Sequence, residues 1–147
     1  MRPNQQPAAP AADGPPAAAV RLAVLTVPAA ETHVALVRLA ALQLAGAAGL
    51  DADRGAGLRL ALGEAYGQFL AHVPAGSPSR RRASIEIAFE RTDHGLRVRL
   101  RGAVPAGWPR REGLGWVLMS ALVGEVAWSK DGGVGTLILV EPLPAAD

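Results

Sequence analysis

Glu64, Gln68 and His72 recur at intervals of four. On a helix that spacing stacks a carboxylate, an amide and an imidazole along one stripe. Beside an apolar stripe, three such groups could point into a cleft at the edge of a core, where acid–base or ligand chemistry is done. The plain alternative is a solvated helix flank. Farther on, Gly113-Leu114-Gly115 opens an apolar run. If that run is a helix, its free N–H groups and dipole favour a phosphate, whereas the plain reading is a tight turn. Trp108 stands between Gly107 and Pro109. This placement predicts a partly exposed ring that contacts a partner or a twin subunit, the alternative being a ring packed over an empty pocket.

Other residue types exclude chemistry. The chain of 147 residues has no Cys, which removes disulfide scaffolds, thiol nucleophiles and Cys-based zinc sites. His33, His72 and His94 have no carboxylate at ligand spacing, and Asp93-His94-Gly95 reads as a turn. Ser77, Ser79, Ser84 and Ser120 lack a nucleophile-elbow setting, so no hydrolase triad is expected. Arg80-Arg81-Arg82 is the one basic cluster. Without aromatic residues around it for stacking, it reads as a solvated loop. Fourteen of the 15 basic residues are Arg, so a formal charge of only +2 still gives a pI near 9.9. That pI does not by itself imply nucleic-acid binding. Arg-rich, Lys-poor usage points to a GC-rich genome.

The elements that must position these groups follow from periodicity. Residues Met1 to Ala19, with five Pro and seven Ala, lack the continuous apolar stretch of a signal peptide and read as a disordered tail. No run approaches the roughly 20 apolar residues of a membrane span, so a cytoplasmic protein is expected. Val20 to Val27 reads as a strand ended by Pro28. Glu31 to about Ala48 predicts a helix with Val34, Leu36, Val37, Ala41 and Leu44 mainly on one side, stopping at Gly49. Asp51 or Asp53 caps a second helix running to about Val73, with Leu58, Leu62, Ala65, Phe69 and Val73 along its apolar stripe.

The period then changes to two. Ile85, Ile87 and Phe89 alternate with polar residues, as do Leu96, Val98 and Leu100 after Asp93-His94-Gly95. Setting Arg91 opposite Leu96 places Phe89 against Val98 and Ile87 against Leu100. The same register sets Glu90 against Arg97 and Glu86 against Arg101 on the other face, and a slip of one residue destroys both sets. A third helix from Gly113 to about Val123 and strands Glu125–Lys130 and Gly135–Glu141 complete the order β-α-α-β-β-α-β-β. This is an α+β two-layer sandwich: a mixed, mostly antiparallel sheet with helices on one face. The domain is expected over 20–143, with a tail at 144–147.

Together and in this order, the segments resemble the histidine-kinase-type ATPase fold, in its small anti-sigma-factor serine-kinase branch. Glu64 to His72 occupies the family's second-helix box of Glu, Asn and often His at intervals of four. Gly113-Leu114-Gly115-Trp116 stands for its GxGL-like motif, Gly135-Thr136 for the Gly-Thr before its last apolar strand, and Arg38 for an Arg near the middle of its first helix. The resemblance implies Glu64 as general base or water-orienting group, and an Asn amide on Mg²⁺ where this chain has Gln68. It also implies a D-x-G adenine contact, whose positions here fall on Gly102 and Val104. The phosphates would lie at Gly113 and Gly115, with Thr136 on the nucleotide.

These departures shift the expectation from enzyme to interaction protein. The amide of Gln68 lies one methylene too far out for a cation that demands near-ideal geometry. The adenine carboxylate is gone, and Val104 puts a branched side chain at the base's floor. Ten residues between Gly102 and Gly113, with Pro105 and Pro109 among them, make a short, stiff lid. Losing one site-defining hydrogen bond costs about 1–3 kcal/mol, or one to two decades of affinity. The expectation is therefore a regulatory protein similar to an anti-sigma factor, with an eroded ATP site and no cofactor. The resemblance implies a sigma factor or an anti-sigma antagonist as partner, with Arg38 a contact residue. It also implies a homodimer built near the first helix and first strand. The alternatives are an active serine protein kinase using Mg-ATP and, from another class, a nucleic-acid-binding module using Arg80 to Arg82.

Overall fold

The computed structural model describes residues 19–70 and 83–144. Five strands form one sheet: β1 (Val20–Pro28), β2 (Ser84–Thr92), β3 (Gly95–Ala103), β4 (Glu125–Asp131) and β5 (Val134–Glu141). Their spatial order is β1-β2-β3-β5-β4. Every pairing is antiparallel, so the α+β sandwich stands while the sheet is not mixed. Three helices cover one face: α1 (Val34–Ala48), α2 (Ala52–Gln68) and α3 (Leu114–Leu122).

The β2–β3 hairpin adopts the register the alternation demands: Arg91 opposite Leu96, Phe89 opposite Val98, Ile87 opposite Leu100 and Glu90 opposite Arg97. Its apolar side chains, with Leu137 and Leu139 of β5, are fully buried. They meet Val37, Ala41 and Ala45 of α1, Leu58, Leu62 and Tyr66 of α2, and Met119 of α3 in one core. β5 is buried on both faces: Leu137 and Leu139 lie in the core under the helices, and Ile138 and Val140 cluster with Ala127 on the other side.

Helix ends differ from expectation in instructive ways. The segment Glu31–His33 is a 3₁₀ turn ahead of α1. α1 buries Val37, Ala41, Ala45 and Ala48, while Leu36 is half exposed. The apolar stripe is narrower than its Leu content suggests, because small Ala residues bring α1 and α2 close together. Gly49 ends α1 with φ of 100°, a left-handed turn that suits a residue without Cβ. Asp51 caps α2, its carboxylate accepting from the Arg54 N–H at 2.9 Å.

α2 stops at Gln68 and does not run on to Val73. Phe69 N–H donates to the Tyr66 carbonyl and Leu70 N–H to that of Gly67, which tightens the chain into a three-residue turn. Val73 and His72 lie outside the described residues, as do the Arg80 to Arg82 cluster, Ser77, Ser79 and the 1–18 segment. Among the described residues no helix is long and apolar enough to cross a membrane.

Candidate functional site

The cleft lies where the C-terminal end of α2 meets the start of α3. It encloses about 450 Å³ and is lined by Glu64, Gly67, Gln68, Arg110, Glu112, Gly113, Gly115 and Trp116. The two helices run past each other in opposite directions: Gly57 touches Leu122 while Glu64 touches Gly115. One carboxylate oxygen of Glu64 lies 2.5 Å from where a Cβ on residue 115 would sit. Only glycine allows that approach, so a carboxylate already stands at the start of α3, where N–H groups and the helix dipole favour negative charge. Gly113 is the N-cap, with no side-chain cap.

Gln68 is 8% exposed, and each end of its amide makes a hydrogen bond. Its Nε2 donates to the Arg110 carbonyl at 3.0 Å, and its Oε1 accepts from the Arg110 N–H at 2.9 Å. The side chain thus pairs with the 105–112 segment as a neighbouring strand would. The longer reach of Gln is what carries the amide to that backbone. Each end of the amide is thus committed to the Arg110 backbone in this arrangement, while Gln68 still borders the cleft.

Trp108 corrects the expectation of an exposed ring: it is 2% exposed. Its centroid lies 5.3 Å from that of Phe69 and 6.1 Å from that of Trp128, edge-on to the latter. The six-membered part of the indole lies flat over Gly135, with three ring carbons 2.7–2.9 Å from where a Cβ there would be. Gly135 pairs in register with Gly102, the position the resemblance assigns to the adenine carboxylate. Lys130 Nζ donates to the Trp108 carbonyl at 3.1 Å and also to that of Ala106. A partner cannot reach a ring so enclosed, so Trp108 is no surface anchor. The indole N–H has no hydrogen-bond partner.

The remaining expected residues separate. Gly102 lies beside Phe69, whose ring carbon is 3.4 Å from the Gly102 Cβ position. Val104 is partly buried against the core and is tied to Gly133 through its N–H at 2.8 Å. Thr136 is not brought to the cleft. It pairs with Arg101 and Ser129, and strand alternation puts its side chain on the face opposite Gly135. Arg38 lies half-buried across α2, with its Nε 2.5 Å from the Gly63 Cβ position and without a hydrogen-bond partner.

Sequence reading missed Arg110, Phe69, Lys130 and Gly135 as parts of the closure. The one available signal was the pair Gly102 and Gly135, small residues on adjacent strands that leave room for a ring. No group of three His, Cys, Asp or Glu among the described residues could hold a metal ion.

The model of the histidine kinase-like ATPase domain matches residues 27–140. The chain belongs to that family. Among solved structures, the RsbU and RsbW domains of Rv1364c from Mycobacterium tuberculosis resemble this ATPase-family chain with a TM-score of 0.63 and 18% identity. The likeness covers 83% of this chain and 33% of that one, so the chain spans about a third of its neighbour's length and the match speaks to fold. No curated protein matches the sequence.

Proposed function

We propose that this histidine kinase-like ATPase domain is a regulatory protein of the anti-sigma-factor type. It acts by protein–protein contact, and its nucleotide site is given over to internal packing. The observation that carries this reading is the Gln68 amide, both ends of which bond the Arg110 backbone. Mg-ATP fits the residues poorly in this arrangement: the amide in the metal-ligand position is tied to the Arg110 backbone, an indole lies over Gly135, and a carboxylate abuts the α3 start.

Exposed apolar side chains support the contact role. Val20, Leu22 and Val24 on β1 and Leu36, Leu39 and Leu42 on α1 all face solvent, on the two elements where the resemblance implies a homodimer. Leu114, Val117 and Leu118 of α3 do the same, Leu114 at 72%. Exposed aliphatics gathered several to one element, as on β1, α1 and α3, suit an interaction surface. A sigma factor or an anti-sigma antagonist is the partner the resemblance implies, with Arg38 beside the α1 leucines.

An active serine protein kinase is the second reading, favoured by one observation: Glu64 lines the open cleft beside Gly113 and Gly115. A thermal-shift titration separates the two. The contact reading expects no saturable shift with Mg-ATP or Mg-ADP, and a rise of several degrees overturns it. If phosphotransfer to a protein substrate is detected, Glu64→Ala must abolish it for the kinase reading to hold.

A further inference from the structure

Gly135, Phe69, Trp128 and Trp108 make a flat slot with a ring already in it. The indole reaches that slot from the 105–112 segment, which is held from three sides. Gln68 grips the Arg110 backbone, Lys130 binds the Ala106 and Trp108 carbonyls, and the Arg111 guanidinium lies 5.5 Å from the Trp128 ring centroid. Only glycine at 135 leaves room for a ring at van der Waals contact with the sheet backbone. An ordinary core position would be filled by a side chain of its own. The ring that does fill it leaves a buried N–H donor with no acceptor, an arrangement that costs free energy and weakens the hold of an otherwise apolar slot.

From this geometry we infer that Trp108 is an internal ligand. It occupies a binding slot for a planar bicyclic aromatic ring, and the 105–112 segment is the latch that keeps the slot closed to free rings. The inference deepens the contact reading and rests on it, since a slot held shut from within is one reason for a nucleotide site to fall out of use. The tethers are the neutral Gln68 amide, the Lys130 ammonium and the Arg111 guanidinium over Trp128, so the latch does not depend on a carboxylate. Withdrawing the indole leaves a slot with two aromatic walls and a glycine floor. Apolar cavities of that kind take up free rings.

The test compares the wild-type chain with Trp108→Gly, titrated with indole, benzimidazole and Mg-ATP and followed by thermal shift and calorimetry. Trp108→Gly is expected to bind indole or benzimidazole saturably, with a dissociation constant on the order of a millimolar, and to regain part of its lost melting temperature. The wild type is expected to bind neither ring. If both proteins refuse the rings, the slot is not a ring site and the inference falls, while the contact reading stands. Tight Mg-ATP binding by the wild type overturns the contact reading. Equal binding by Trp108→Gly then removes the latch as well.

Should Trp108→Gly not fold, Gly135→Ala supplies the second measurement. Its methyl would take the ring's place at 2.7 Å. Amide exchange across 105–112 is then expected to quicken by about tenfold or more while the β2–β3 hairpin keeps its protection. Unchanged exchange in 105–112 overturns the latch.

Discussion

The two ends of the sheet are fastened by different chemistry. At the β2–β3 turn end the ties are ionic. Arg54 Nε donates to a Glu141 oxygen at 2.7 Å, and the Gly124 N–H donates to the other oxygen at 3.0 Å. On the opposite face Arg97 donates twice to one Glu90 oxygen, at 2.7 and 3.0 Å. At the cleft end the ties are the Gln68 amide, the Lys130 ammonium on backbone carbonyls and the Trp108 ring. The turn end joins charges to each other, so losing one partner strands the other. The cleft end leaves no buried ion behind when it parts, its ties being a neutral amide, the exposed Lys130 ammonium and an apolar ring, so it can open at lower cost. The end that opens at lower cost is the one where the proposed nucleotide site would lie.

Truncating the ring gives the largest expected effect. Trp108→Ala should cost about 3–5 kcal/mol, the usual range for a buried large aromatic, read as a fall in denaturation midpoint. Amide exchange should quicken at 105–112 and not at the turn end. Equal loosening of both ends would break the contrast.

Next comes Glu90→Gln. Removing one partner of a buried pair costs roughly 3 kcal/mol at neutral pH, because Arg97 then stays buried without its counter-charge. The pH dependence has a definite sign. Burial acts to raise the Glu90 carboxyl, but the Arg97 hydrogen bond and charge, aided by Arg99 and Arg21, outweigh it and hold it below its ordinary value. A carboxyl lowered in the folded state contributes stability fully above its unfolded pKa, and loses it as pH falls through the folded value. Wild type and Glu90→Gln should therefore converge in acid. A gap that persists or widens there would contradict the assignment.

Gln68→Ala should cost less, about 1–3 kcal/mol for the Arg110 groups left unpaired. Hydrogen exchange should show it at 105–112 with the turn end unmoved. Smaller again is Glu141→Gln, expected at about 1 kcal/mol because Arg54 is a third exposed and its pairing is screened. Denaturant midpoints rank the four.

How far sequence reading reached follows the same division. The hairpin register was legible because two independent patterns, apolar alternation on one face and Glu–Arg opposition on the other, demand the same pairing. Glu64 and the Gly113/Gly115 start of α3 were legible because helical spacing and a glycine pair are local features. The fate of Gln68 was not, since its partner Arg110 is 42 residues away and is met through backbone atoms that any residue would supply. Trp108 was misjudged for a related reason. Its neighbours Gly107 and Pro109 describe a turn, and what buries the ring is the missing Cβ of Gly135 on another strand. Leu36 falls on the apolar side of α1 by spacing yet is half exposed, because the helix buries Val37, Ala41, Ala45 and Ala48.

The central claim is that the cleft end is closed by the chain's own groups. Isothermal calorimetry of the wild-type protein with Mg-ATP tests it most directly. The account predicts no saturable heat at ligand concentrations up to about a millimolar, the range in which a working site of this size would fill. A one-to-one isotherm with a micromolar dissociation constant would contradict it.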